Sequence, residues 1–378
     1  MSKTWRHHLM RATGNGRVVP LLWDAPLSGV VVEDQLSGPG SIGFTVNPEH
    51  PNLDLSLFRS WSTVVVSEWD GRIVQAAIVT DHEPQGPELR VETVGLPGYL
   101  TDLAYTGNFQ GIKVDPLDMV RRMWSHAQAQ PSGDLGVQVD STRSPVRIGE
   151  EVRQVDFTTG AGEDVSFEAG PYVLAWWKTS DMGKEVDDLA KSTPFDYRAD
   201  YGWGDGDTLT TRLRLGYPRL GSRKHGLRFV VGENITELPK LTVEGNEYAS
   251  EVLALGAGEG RDMRKGHEIG RTDRLRRTRV VVDKSQTSHK RAQSLAVRAL
   301  AASLGDIDIA EITVRDHDNA RLGSWRVGDE ILVTLPDGWV SGRQLWVRVI
   351  GQRWETESDR VRLQVVRADK ETFGDEQL

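Results

Sequence analysis

Short runs of alternating apolar and polar residues, punctuated by glycine, proline and aspartate, dominate the first third of the chain. Ser41–Val46 sets Ile42, Phe44 and Val46 on one face and Ser41, Gly43 and Thr45 on the other, directly after the turn Gly38-Pro39-Gly40. Val64–Val66 and Ile73–Val79 flank Asp70-Gly71, a pair suited to the positive φ angles of a tight hairpin turn. Leu89–Val94 adds another run. Residues 17–110 therefore predict a β sandwich or barrel.

The period then lengthens. Asp115 as cap, Pro116 at the first helical position and Leu117, Val120, Trp124 and Ala127 on one face predict a helix over 115–130, stopped by Pro131-Ser132-Gly133. Val146–Phe167 returns to alternation. A second helix is expected from Asp181 to Ala190, with Met182, Val186 and Leu189 inward and Pro194 beyond its end. From Phe195 the β pattern resumes through Thr208–Leu215, Leu227–Val231 and Leu241–Leu255, with Gly245, Gly256, Gly258 and Gly260 as turns or bulges. A third helix follows a cap at Thr287 or Ser288, carries Ala292, Leu295, Ala296, Ala299, Leu300 and Leu304 on one face, and stops at Gly305. Glu330–Thr334 and Leu345–Ile350 form a hairpin around Asp337-Gly338, Val361–Val365 adds a strand, and Lys370–Leu378 reads as a frayed polar tail.

The fold class is α+β, mainly β. Residues 1–110 form a first β domain, 111–194 a mixed insert, 195–245 with 306–370 a second β domain, and 246–305 an accessory segment. A chain of 378 residues suits this division, since one hydrophobic core seldom serves that length.

Composition removes several classes of function. No window reaches the roughly 20 continuous apolar residues of a membrane span, so no stable membrane association is expected. Residues 1–19 carry positive charge without the apolar run or cleavage site of a Sec signal. The absence of cysteine removes disulfides, thiolate nucleophiles and Cys-based metal sites. Net charge of −9 opposes general affinity for nucleic-acid phosphates.

Candidate chemistry is sparse, and no cofactor, metal or catalytic residue is expected. The histidines form no HExxH pattern: Gly266-His267-Glu268 lacks the second histidine and reads as a loop, and His7-His8 as a solvated terminus. Gly40-Ser41-Ile42-Gly43 lacks the spacing of a nucleophile elbow, and Gly256–Gly260 lacks the Gly-Lys-Ser/Thr of a phosphate loop. Asp187-Asp188, Asp306/Asp308 and Asp316/Asp318 could serve glycoside hydrolysis, but 55 acidic residues produce such pairs by chance. Trp176-Trp177, Tyr197, Tyr201 and Trp203 could stack on sugars, though large aromatics more often seal cores and interfaces.

One charge feature stands out. Arg261–Val280 holds eight Lys/Arg against three Asp/Glu, through Arg261, Arg264, Lys265, Arg271, Arg274, Arg276 and Arg277 to Arg279. No aromatic lies between the arginines to stack bases, so contact with an acidic subunit, or plain solvation, is the expectation.

Arg212–Gly221, Gly232-Glu233-Asn234-Ile235 and Gly256–Gly260, with Leu36–Ser41 and Pro194-Phe195-Asp196-Tyr197, resemble the siphovirus tail-hub family of actinobacteriophages, related to the baseplate hub of contractile tails. The resemblance covers roughly residues 17–370 and rests on turn and strand patterns. It implies a homotrimer in which two tail-tube-like β-barrel domains per chain give a pseudo-sixfold ring. That ring would join the distal tail protein to the receptor-binding apparatus and other minor tail proteins, close the lumen around the tape-measure protein, and open for DNA ejection. The implied location is the tip of the virion tail, assembled in the host cytoplasm. The chain stops soon after its last expected strand, so lytic activity in cis is not expected. Two alternatives are a cell-wall glycan-binding or hydrolytic module and a hexameric distal tail protein.

Overall fold

The computed structural model describes residues 4–47, 49–51, 53–151, 153–158, 164–242, 248–283, 286, 288–303, 308–337 and 342–368. Its strands gather mainly into one twelve-stranded sheet made of two halves lying edge to edge. The first half runs, in spatial order, Ser28–Gln35, Ser41–Val46, Glu88–Gly95, Arg72–Gln85, Thr63–Trp69, Trp5–Ala12 and Val18–Leu22, all antiparallel. Across the joint, Ser28–Gln35 pairs with Gln344–Glu355, whose own half contains Glu330–Thr334, Arg223–Val230, Arg360–Arg367 and Glu311–Arg315.

The Asp70-Gly71 turn forms as its sequence demands. Asp70 at φ 51° and Gly71 at φ 79° bring Trp69 opposite Arg72. The run Val64-Val65-Val66 does not alternate in polarity because this part of the sheet is covered on both faces. Val65, Ala77, Val79 and Leu9 point into one core, shared with Phe229, Trp325 and Trp354 of the second half. Val64, Val66, Ala76, Ile78 and Met10 point into the other, shared with two helices.

Those helices are α1 (Pro116–Gln128) and α2 (Met182–Ser192). The Asp115 carboxylate accepts from Leu117 N at 3.0 Å and also holds Ser144 through its N and Oγ at 2.9 and 3.0 Å, so one cap fastens two segments. Asp181 caps α2 by accepting from Lys184 N at 2.9 Å. The hairpin Asp196–Trp203/Leu209–Gly216, assigned by its sequence position to 195–245, pairs with the parallel strand Val137–Val139 and buries Leu209, Leu213 and Leu215 in the helical core. Apolar contact with the helices, rather than chain order, decides where it packs.

The accessory segment forms a small sheet with Glu251–Leu255 between antiparallel Lys265–Ile269 and parallel Thr278–Val282. Helix α3 (His289–Ser303) covers one face, with Ala292 and Ala296 fully buried. Ser288 Oγ accepts from Arg291 N at 3.2 Å at its start; Thr287, Leu304 and Gly305 lie outside the described residues. A Cβ at Gly266 would meet Ala292 O at 2.1 Å, so this strand lets the helix backbone approach because it carries glycine there.

Two expectations need correction. Trp5–Ala12 is an interior strand between Val18–Leu22 and Thr63–Trp69, so His7 and His8 are buried rather than solvated. Gly266-His267-Glu268 lies inside a strand rather than a loop, because it completes the ladder to Glu251–Leu255. Glu330–Thr334 and Gln344–Glu355 pair antiparallel as expected, and Leu335 N donates to Arg343 O at 2.9 Å; of the turn pair, Asp337 is described and Gly338 lies outside the described residues. Gly245, Asp306 and Lys370–Leu378 also lie outside them. No helix among the described residues is long and apolar enough to cross a membrane.

Candidate interaction surfaces

The turn residues act as scaffolding. Gly40 has φ +65°, a Cβ there would meet Glu33 O at 2.4 Å, and Gly40 O accepts from Gly95 N at 2.9 Å, so Gly38-Pro39-Gly40 locks against the strand end at Gly95. Gly256, Gly258 and Gly260 turn the chain from Leu255 into the basic segment.

The accessory sheet presents its second face to solvent. Val252 and Ala254 face α3, which leaves Leu253 and Leu255 on the opposite side, beside exposed Ile269, Val280 and Val282. At one end of this face the Glu251 carboxylate accepts from Arg276 Nε and Nη2, from Thr278 Oγ1 and across to His267 Nε2, each at 2.6 Å. The hydrogen bond from Thr278, then those from Arg276 and His267, hold this carboxyl down at about 2.

These bonds sort the arginines expected to meet an acidic neighbour. Arg276 is committed to Glu251 of its own chain, and Arg274 lies over the Tyr248 ring at 4.9 Å. Arg277 donates its backbone N to Ser250 Oγ at 3.1 Å, and Arg264 pairs through its backbone with Gly256 and Ala257. The side chains of Arg261, Arg264, Lys265, Arg271 and Arg277 stand on exposed residues around the open face.

A second basic surface lies along α1. Lys113, Arg121, Arg122, Arg143 and Arg147 line a groove floored by Phe109, Met119 and His126. Its two acids are occupied: Asp115 caps the helix and Asp118 pairs with Arg121 at 2.7 Å. Arg122 lies 3.9 Å from the Phe109 ring centroid. This surface is hidden in the sequence because its cations come from three separated segments. The adjacent Arg121-Arg122 on the polar side of a well-marked helix is the signal that points to it.

Aromatic residues divide by role. Tyr197 donates to Asp187 Oδ1 at 2.7 Å and Trp203 to Glu68 Oε2 at 2.9 Å, which makes them parts of the interior. Trp176 and Trp177 are 67% and 54% exposed and meet edge to face at 5.2 Å. The paired carboxylates hold neighbours instead of facing each other: Asp188 binds Lys184 at 3.0 Å, and Asp316 and Asp318 both bind Arg321. No group of three His, Asp or Glu suited to a metal ion occurs among the described residues.

No protein-family model matches the sequence, and no curated protein matches it. The fold does match solved structures. The 43 kDa tail protein of prophage MuSo2 from Shewanella oneidensis superposes with a TM-score of 0.59 at 12% identity, over 98% of this chain and 99% of that one. Prophage tail protein gp18 from Listeria monocytogenes gives 0.56 at 10% identity over 97% and 95%, and a tail protein from Neisseria meningitidis 0.54 at 16% over 97% of each. The chain thus has the mainly β fold of prophage tail proteins across nearly its whole length, in agreement with the resemblance read from its turn and strand patterns.

Proposed function

We propose that this chain is the structural hub of a phage tail tip, a homotrimeric ring that adapts a sixfold tail tube to a threefold tip, closes the lumen and opens for DNA ejection. The observation that carries the reading is the end-to-end fold match to prophage tail proteins, at 98% coverage of this chain. Two β halves per chain would give three copies six β units, and a net charge of −9 lets DNA pass without adhering. The role is structural, not catalytic. On this reading the partners are a distal tail protein above, the tape-measure protein in the lumen, and other minor tail or receptor-binding proteins below. The exposed cations at Arg261, Arg264, Lys265 and Arg271 and the α1 groove are the places for acidic neighbours.

Mass photometry of the purified chain tests the reading. The expected particle weighs three times the 42.0 kDa chain mass. A sixfold particle would favour a distal tail ring, and a monomer at every concentration would overturn the trimer.

A further inference from the structure

Where the two halves of the large sheet meet, the structure encloses a cavity of about 120 Å³. Asp34, Gln352 and Trp354 come from the joint between the halves, Trp69 and Arg72 from the Asp70-Gly71 hairpin. Arg198, Asp200 and Tyr201 come from the hairpin strand that packs on the helices, and Trp325 and Arg326 from the segment before Val327. Five separate pieces of chain therefore converge here.

The polar groups around this space are incompletely paired. The Nε1 atoms of Trp69, Trp325 and Trp354 and Gln352 Oε1 have no hydrogen-bond partner among the described residues. Trp325, Trp354 and Gln352 are 2%, 4% and 7% exposed, so bulk water does not reach them freely. An indole N–H can only donate, and a buried donor left unpaired is destabilising. Orphan donors outnumber orphan acceptors, and whatever fills the space has to accept.

Charge points the same way. Asp200 is held by three cations, Arg198 at 3.3 Å, Arg214 at 3.1 Å and Arg326 at 3.1 Å. Arg72 stands at the mouth, donates Nη1 to Gly323 O at 2.7 Å and pairs with no carboxylate among the described residues. The other acid, Asp34, accepts from Gln352 Nε2 at 2.9 Å. Burial pushes its carboxyl up to about 6, so against the two carboxylates Asp34 and Asp200 stand the three guanidiniums of Arg72, Arg198 and Arg326. Water could satisfy the indoles, but it leaves the excess of guanidinium charge uncompensated.

We infer that this cavity binds a small inorganic oxyanion, phosphate or sulfate, held by Arg72, Arg198 and Arg326 and by the indole N–H groups. The size agrees: an engineered cavity of about 150 Å³ takes up a benzene molecule, whereas a nucleotide or a DNA strand could not enter this one. The ion would tie the helix-packed hairpin and the Trp325 segment to the joint of the large sheet. It does not depend on the tail-hub reading.

Isothermal titration of the full chain with sodium sulfate and with inorganic phosphate, against sodium chloride at equal ionic strength, tests the site. One saturable site per chain is expected, weakened at least tenfold in Arg72→Gln and further in Arg72→Gln with Arg326→Gln. No saturable heat with either oxyanion, or affinity unchanged in both variants, would overturn the inference. Crystals of the unaltered chain soaked in selenate give a reading that needs no variant. A selenium anomalous peak inside the cavity supports the site, and density for water alone overturns it.

Discussion

His7 and His8 sit side by side on the interior strand Trp5–Ala12, and both rings are taken out of water. His7 Nδ1 meets Ser67 Oγ at 3.0 Å, and burial, aided by the neighbouring His8, pushes its pKa from 6.5 down to about 4. Between those values the unfolded chain holds the extra proton, so folding stability falls as pH drops from 6.5 to 4, by up to about 3 kcal/mol. Asp34 acts with the opposite sign. Its pKa rises from 3.8 to about 6 on folding, so the stability it contributes is present below 3.8 and is lost as pH climbs to 6. The two effects oppose each other between about pH 4 and 6. In His7→Gln the melting temperature should fall less on going from pH 7 to 5 than in the parent chain, and in Asp34→Asn it should fall more. Parallel curves for all three proteins would contradict this assignment. A second residue-scale expectation concerns Arg348, 1% exposed, which binds the Asp196 carboxylate and donates to Gly328 O at 3.1 Å and Leu220 O at 3.0 Å. Arg348→Met leaves that carboxylate, which also accepts from Leu220 N at 2.8 Å, without its buried counter-charge and should destabilise the chain by about 3–5 kcal/mol in urea unfolding.

At the scale of elements, the parts legible in the sequence are those whose signals are local. Asp70-Gly71 fixes its hairpin through two backbone angles, and Asp115-Pro116 fixes the start of α1 through a cap and a pre-set φ. Trp5–Ala12 escaped because its histidines read as polar, whereas neutral imidazoles fit on a strand paired on both edges. Lys265–Ile269 escaped because it carries no apolar alternation and its order comes from the ladder to Glu251–Leu255. The α1 groove and the arginine-lined cavity were invisible for another reason: their side chains meet only after distant segments pack. The accessory sheet gives a direct test of such long-range dependence. Gly266→Ala would push α3 away from its strand, since the added carbon lies 2.1 Å from Ala292 O. Overpacking of this kind destabilises by about 1–3 kcal/mol. The effect should stay local: trypsin should cut faster within Arg271–Arg277 while the main melting transition of the large sheet holds. A joint loss of both would show that the accessory sheet is part of one cooperative unit with the rest.

For the whole molecule, the unevenness of its surface matters more than its sum. An acidic chain gathers cations in the α1 groove and around the accessory sheet, and any contact such patches make with an acidic surface weakens as salt rises. Charge alone seldom holds a ring together; a buried aromatic anchor contributes more per residue. Trp176 and Trp177 are the outstanding candidates, because they are large, adjacent and mostly exposed, and the turn that carries them is fixed by Lys178 N and Thr179 N donating to Ala175 O at 2.9 and 2.8 Å. Their truncation therefore removes little from the fold of a single chain. If they seal the contact between copies, Trp176→Ala with Trp177→Ala should raise the dissociation midpoint of the proposed trimer by at least about 30-fold, the equivalent of a 2 kcal/mol hot spot. Circular dichroism and the melting temperature of the separated chain should stay within error of the parent. An unchanged dissociation midpoint would move these tryptophans away from the contact between copies and toward a neighbouring tail protein, while leaving the ring itself to be judged by its mass.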